Sequence, residues 1–218
     1  MSDPESRRLI VVYTAGERTT HWALALTFIL GALSGLALFH PALFWLSELF
    51  GGGPWTRILH PYIGLIAVLI FAPFAAGRWD EARLTPADWQ WLRQIQDVIN
   101  NREERLPEVG RYNAGQKLLY LVLCAGMLGL LLSGIVMWRS YFGLYFPVGV
   151  IRLGSLVHAF CAFVLVCGIL VHIYSTFWIK GGLEAMTRGT VTPGWAWKHR
   201  RAWYRQITHA AHPRTRPD

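Results

Sequence analysis

The 218-residue sequence predicts an all-α membrane protein, a bundle of four transmembrane helices with both termini in the cytoplasm, and three observations predict it. The composition is 53% hydrophobic and only 16% charged, with a mean hydropathy of +0.31, which departs from ordinary soluble domains. Four segments lack Asp, Glu, Lys and Arg over a membrane-relevant length: Trp22–Phe39, Ile58–Ala76, Leu118–Trp138 and Leu153–Ile179. Eighteen of the 21 basic residues lie before the first segment, between the second and third, or after the fourth. The positive-inside rule then sets the orientation.

The helices are expected over 19–39, 58–76, 116–138 and 152–179, in a single integral-membrane domain spanning 1–218. The first segment is long and is followed by His40-Pro41, not by a small-residue cleavage site, so it reads as a retained span. The second is marginal in length, and Pro73 is expected to kink it or end it early. The fourth is long enough to span with tilt or to protrude. No water in the hydrocarbon satisfies backbone groups, so each span has to be helical. The first connection carries only Arg57, and the third only Arg139 and Arg152. Basic residues flank apolar spans and form no soluble basic face, which argues against a nucleic-acid partner.

Histidines carry the chemistry. His158 and His172 are fourteen residues apart in the fourth span. On a helix that spacing returns them to within about 40° of one face and separates them by about 21 Å along the axis. One imidazole then stands near each surface of a hydrocarbon core about 30 Å thick. His21 opens the first span at the cytoplasmic side and His60 opens the second at the outer side. Depth alone pairs His60 with His158 and His21 with His172, which is what two stacked bis-histidine haems need. There is no CxxCH for covalent attachment, so both haems are expected to be b-type. Cys124, Cys161 and Cys167 read as small buried apolar residues. His40, before Pro41 at the edge of the first span, reads as interfacial, while His199, His209 and His212 belong to a solvated basic tail.

Gly31 and Gly35 form GxxxG, Gly64 lies one turn from His60, and Gly168 one turn from His172. They either let a flat macrocycle approach the backbone or let helices pack directly. In the cytoplasmic loop 77–115, Trp89, Leu92, Ile95 and Ile99 recur at helical spacing after Thr85-Pro86, a cap and first turn. This short amphipathic helix faces either the membrane interface or a partner. Asn113 and Gln116, three residues apart before the third span, either hydrogen-bond a quinone or cap the helix. The basic tail 180–218 contains Trp195, Trp197, Trp203 and Tyr204 and is expected on anionic headgroups or a partner subunit.

From about Arg18 to Tyr204 the chain resembles the cytochrome b (gamma, cytochrome b556) subunits of membrane-bound respiratory formate dehydrogenases. The resemblance rests on Thr20-His21-Trp22, Ser34-Gly35, Arg57-Ile58-Leu59-His60-Pro61, the run Tyr112 to Lys117, Tyr145-Phe146-Pro147, the His158/His172 pair, Phe177 to Gly181 and Arg201-Ala202-Trp203-Tyr204. It implies a bacterial inner-membrane subunit that binds two b haems, with His60 and His158 on the outer iron and His21 and His172 on the inner. It further implies an iron–sulfur (beta) subunit and a molybdenum- or tungsten-pterin catalytic (alpha) subunit that oxidises formate. Electrons would pass from the outer to the inner haem and on to menaquinone or ubiquinone, near Asn113, Gln116 and His172, in anaerobic respiration. Assembly as a trimer of heterotrimers fits the same plan. Two rivals share the histidines: the b subunit of a nickel–iron hydrogenase or sulfur-compound reductase, and a haem-free membrane anchor or carrier. Nickel in the co-purified partner would mark the first, and absence of a Soret band the second.

Overall fold

A computed structural model describes residues 9–100, 102–179 and 181–211. Arg7, Arg8, Lys180, Arg214 and Arg216, used in the charge count, and His212, assigned to the tail, lie outside the described residues. A two-residue strand β1 (Ile10–Val11) precedes α1 (Ala15–Phe39), and a 3-10 helix at Pro41–Phe50 joins it to α2 (Gly53–Ala76). The middle connection holds α3 (Pro86–Arg93), α4 (Ile95–Ile99) and a 3-10 turn at Glu103–Arg105. Then come α5 (Ala114–Met137), α6 (Val148–Trp178), α7 (Gly182–Arg188), β2 (Thr190–Val191), α8 (Pro193–His199) and α9 (Arg201–Ala211). Helices α1, α2, α5 and α6 are long and apolar enough to cross a membrane.

Each of these four helices begins before the expected span, and at α1 and α2 the added residues include charged ones, Glu17, Arg18 and Arg57. At α1 the reason is a capping box: the Thr14 backbone N–H donates to Glu17 (2.8 Å) and the Glu17 N–H to the Thr14 hydroxyl (3.2 Å). Helix α2 takes in Arg57 because Pro54 suits a first turn and the Thr56 hydroxyl bonds the Gly52 carbonyl at 2.9 Å. Pro73 neither ends α2 early nor disturbs its close: the helix runs to Ala76, and Gly77 N–H returns to the Pro73 carbonyl at 3.1 Å. A proline this near the C-terminus removes one donor while its own carbonyl still accepts.

Residues 19–77 and 121–175 form one compact unit. Within it α1 meets α2 where Gly31 faces Ile63, at 3.8 Å from an added Cβ. Helices α5 and α6 approach more closely. A Cβ at Gly126 would stand 2.6 Å from Leu165, and one at Gly129 2.6 Å from the Cys161 sulfur. These two glycines permit the α5–α6 contact, and Leu165 beneath them is only 1% exposed. In the N-terminal half of α2, the Tyr62 hydroxyl shares a hydrogen bond of 2.9 Å with that of Tyr141, and both rings make T-shaped contacts with Trp138. Most outward residues of the four helices are apolar and exposed, among them Leu69, Leu128, Phe160 and Val171. Lipid is the solvent that such a surface fits. Cys167 is exposed among them and departs from the expected burial; Cys124 and Cys161 are half-buried, and all three are free thiols.

The second unit comprises the described residues before Thr19, residues 78–120, and those from Thr176 onward. Its core is Val12, Tyr13, Ala185, Val191 and Ala196, with Trp195, Trp203 and Tyr204 packed against it. Strands β1 and β2 pair antiparallel, Ile10 opposite Val191, a feature the sequence reading did not include. Gly189 (φ +81°) turns the chain into β2; its carbonyl accepts from Val12 at 2.9 Å, and an added Cβ would lie 2.6 Å from the Tyr13 carbonyl. Glu17 receives Arg78 at 3.0 Å and Arg111 at 2.8 Å, tying the start of α1 to the middle connection. Arg205 pairs with Glu108 at 2.9 Å, and buried Arg200 donates to the Tyr13 hydroxyl at 2.9 Å. The tail therefore folds back on its own chain, with only part of its aromatic surface, Trp197 above all, left exposed.

The amphipathic helix of the middle connection is present but broken at Gln94 into α3 and α4. Thr85 caps it as expected, in a full box with Asp88. Burial would raise the Asp88 carboxyl, but the Lys117 ammonium at 2.7 Å and the Thr85 groups hold it below the ordinary carboxylate value. Trp91 is the residue turned inward, against Gly115, while Trp89, Ile95 and Ile99 are exposed.

Candidate functional site

The four histidines singled out by spacing meet as two pairs inside the membrane unit. His60 of α2 faces His158 of α6 with ring centroids 6.1 Å apart and planes 72° apart. His21 of α1 faces His172 of α6 at 6.3 Å and 56°. All four are half-buried. One helix, α6, supplies a member of each pair, and its fourteen-residue interval separates the two sites along the bundle.

Both separations suit an ion held between two imidazoles. A coordinating nitrogen lies about 1.1 Å from its ring centre and metal–nitrogen bonds run about 2.0–2.1 Å, so two ligands on one ion place their centroids about 6.2–6.4 Å apart. Among the described residues no group of three or more His, Cys, Asp or Glu is placed to hold a metal. Such pairs would hold an iron whose remaining ligands came from a macrocycle, which would supply one-electron redox chemistry there. The glycines beside them agree. A Cβ at Gly35 would stand 3.2 Å from His60 Cε1 and one at Gly134 3.6 Å from His158 Cε1, while one at Gly64 would meet no protein atom within 4 Å. Gly35 thus serves the imidazole directly, and of the GxxxG pair only Gly31 faces an aliphatic side chain.

The His60–His158 pair has two further neighbours. Ser34 Oγ lies 2.8 Å from His60 Nδ1, and Ser133 Oγ lies 3.0 Å from His158 Nδ1. Ser34 is fully buried and Ser133 5% exposed. The sequence signal for them is a repeated Ser-Gly step, Ser34-Gly35 in the first span and Ser133-Gly134 in the third.

The remaining candidates sort cleanly. His40 caps the 3-10 helix, its Nδ1 accepting from the Ala42 N–H at 3.2 Å, which accounts for its place at the span's edge. His209 is exposed as expected. His199 is not free in solvent, because its ring lies 4.9 Å from that of Trp195. Asn113 and Gln116 form a reciprocal cap at the start of α5: Gln116 N–H donates to Asn113 Oδ1 (2.9 Å) and Asn113 N–H to Gln116 Oε1 (3.1 Å). Their carbonyl oxygens are committed to the helix, which leaves the two amide NH2 groups as donors.

Comparison with known proteins now bears on this arrangement. Residues 12–189 match the family model for prokaryotic cytochrome b561. The chain is 39% identical over 195 residues to the cytochrome b556(Fdn) subunit of the nitrate-inducible formate dehydrogenase of Escherichia coli strain K12, covering 89% of each chain. It is 39% identical over 201 residues to the cytochrome b556(fdo) subunit of formate dehydrogenase from the same organism, covering 92% of this chain and 94% of that one. The formate dehydrogenase cytochrome b556 subunit of Haemophilus influenzae is 38% identical over 197 residues, covering 90% of this chain and 83% of that one. Four helices apolar enough to cross a membrane agree with these matches, and the chain belongs to the prokaryotic cytochrome b561 family, alongside the cytochrome b556 subunits of formate dehydrogenases.

Proposed function

We propose that this protein is the membrane anchor and electron-transfer subunit of a formate dehydrogenase complex in a bacterial inner membrane. The observation that carries the reading is the pair of imidazole separations, 6.1 and 6.3 Å, in a chain 39% identical to formate dehydrogenase cytochrome b556 subunits. His60 and His158 hold one b haem, and His21 and His172 the other. Bound there, the two haems supply one-electron redox chemistry. The chain's own residues fix the irons, keep water from them and hold the two sites apart along α6. An iron–sulfur subunit delivers electrons at the outer pair, a molybdenum- or tungsten-pterin subunit upstream oxidises formate, and a membrane quinone is reduced at the cytoplasmic side. The termini are then cytoplasmic, as the basic residues require. A pyridine haemochrome assay with protein quantitation tests this first: two b haems per chain are expected, and none in a folded, haem-replete preparation would end it.

Asn113 and Gln116 belong to the same proposal as donors to a quinone carbonyl, and their cap makes a clean test possible. Asn113→Asp with Gln116→Glu keeps both capping acceptors and removes both NH2 donors. The quinone KM is expected to rise about tenfold for each hydrogen bond lost, since about 1–1.5 kcal/mol goes with each. Haem content should stay unchanged. An unaltered KM would leave these residues with the helix cap alone.

A further inference from the structure

We infer that Ser34 and Ser133 are positioning residues for the outer site, setting the tautomer of His60 and His158 and with it the reduction potential of the iron they hold. The inference rests on the ligand assignment just proposed and adds two residues that this assignment does not include. Each serine oxygen stands between a backbone carbonyl and an imidazole. Ser34 Oγ donates to the Leu30 carbonyl at 2.8 Å, four residues back, and lies 2.8 Å from His60 Nδ1. Ser133 Oγ donates to the Gly129 carbonyl at 2.5 Å, again four residues back, and lies 3.0 Å from His158 Nδ1.

A hydroxyl has one proton and two lone pairs, and a carbonyl oxygen can only accept. At these distances the serine proton has to lie toward the carbonyl, because two facing lone pairs would repel. The serine oxygen is then an acceptor, so the ring proton sits on Nδ1 of each histidine and Nε2 keeps its lone pair. That is the tautomer needed to ligate through Nε2. An Nδ1–H that donates also makes the imidazole a more basic ligand, which favours the ferric over the ferrous ion. The two serines lie on different helices, α1 and α5, yet each is followed by a glycine against the same imidazole: an added Cβ at Gly35 would crowd His60 Cε1 at 3.2 Å, while one at Gly134 would make an ordinary contact with His158 Cε1 at 3.6 Å. Ser34 and Ser133 are 0% and 5% exposed, so water does not replace either hydroxyl when it is removed.

The test is potentiometric and uses the intact complex. Ser34→Ala, Ser133→Ala and the double variant are titrated optically, with the low-spin EPR signals of both haems followed alongside. The outer midpoint should rise by up to a tenfold change in ferric preference per serine, which is about 59 mV for one electron. The shift should be largest in the double variant, and the outer EPR g-value should move while the inner haem keeps its midpoint. Ser34→Thr and Ser133→Thr retain the hydroxyl and should return the midpoint toward that of the unaltered protein. An outer midpoint unchanged in the double alanine variant with both haems bound overturns the inference, as does an equal shift of both haems. Loss of the outer haem in the alanine variants with retention in the threonine variants supports it, and loss in both assigns the serines to packing. Failure of the ligand assignment reads differently, as two haems retained in His60→Ala.

Discussion

His158→Ala is expected to reduce the haem content from two per chain to one and to abolish reduction of the remaining haem by formate. The substitution would remove one of the two ligands proposed for the outer haem, where the facing ring lies 6.1 Å away, and leave His60 as a single ligand. Metal sites held by few protein donors lose affinity steeply with each, and even partners outside the coordination shell change it by about 10–100-fold. The bundle itself should survive. The Ser133 hydroxyl keeps its bond to the Gly129 carbonyl, and the α5–α6 contact at Gly126 and Leu165 lies seven residues along α6 from the substitution. The measurement is the haemochrome ratio together with formate-driven reduction followed at the Soret band. Two haems with unaltered spectra would break the pairing of His60 with His158.

Much of this site was legible in the sequence, and the physical reason is periodicity. A fourteen-residue interval on one helix, combined with charge asymmetry that fixes depth, leaves little choice about which histidines meet, and His21, His60, His158 and His172 meet as spacing predicted. The four spans were legible because lipid demands long runs without charge. Their ends were less so, because Glu17, Arg57 and Arg152 sit inside helices whose termini are decided by caps and prolines, not by apolarity. What stayed hidden depends on contacts distant in sequence. Ser34 meets His60 across 26 residues, and Ser133 meets His158 across 25. The tail's docking through Arg200 to Tyr13 spans 187 residues. The Ser-Gly step shared by the two positions is a weak signal, because a serine bonded back only to its own helix reads the same in sequence. Gly126 and Gly129 were hidden for the same reason, since their value lies in Leu165 and Cys161 on another helix.

His172→Ala is expected to give the complementary defect: one haem per chain, still reduced by formate, with quinone reduction lost. The inner pair is His21 and His172, with ring centroids 6.3 Å apart, and His172 lies fourteen residues beyond His158 on α6, about 21 Å along its axis. The outer pair and its two serines are untouched by the change, so electron entry should be preserved while delivery fails. The distance has energetic weight. Moving one charge across a full 100 mV membrane potential corresponds to about 2.3 kcal/mol, and the outer-to-inner transfer proposed above would store most of that energy without a proton channel. A chain with only the outer haem would take up electrons and generate no potential. In membrane vesicles supplied with formate, the His172→Ala complex should therefore show a reduced Soret band and no quinone-dependent potential, whereas His158→Ala should show neither reduction nor potential. If the two variants behaved alike, the histidines would not act in series, and the ordering of the two sites along α6 would carry no function.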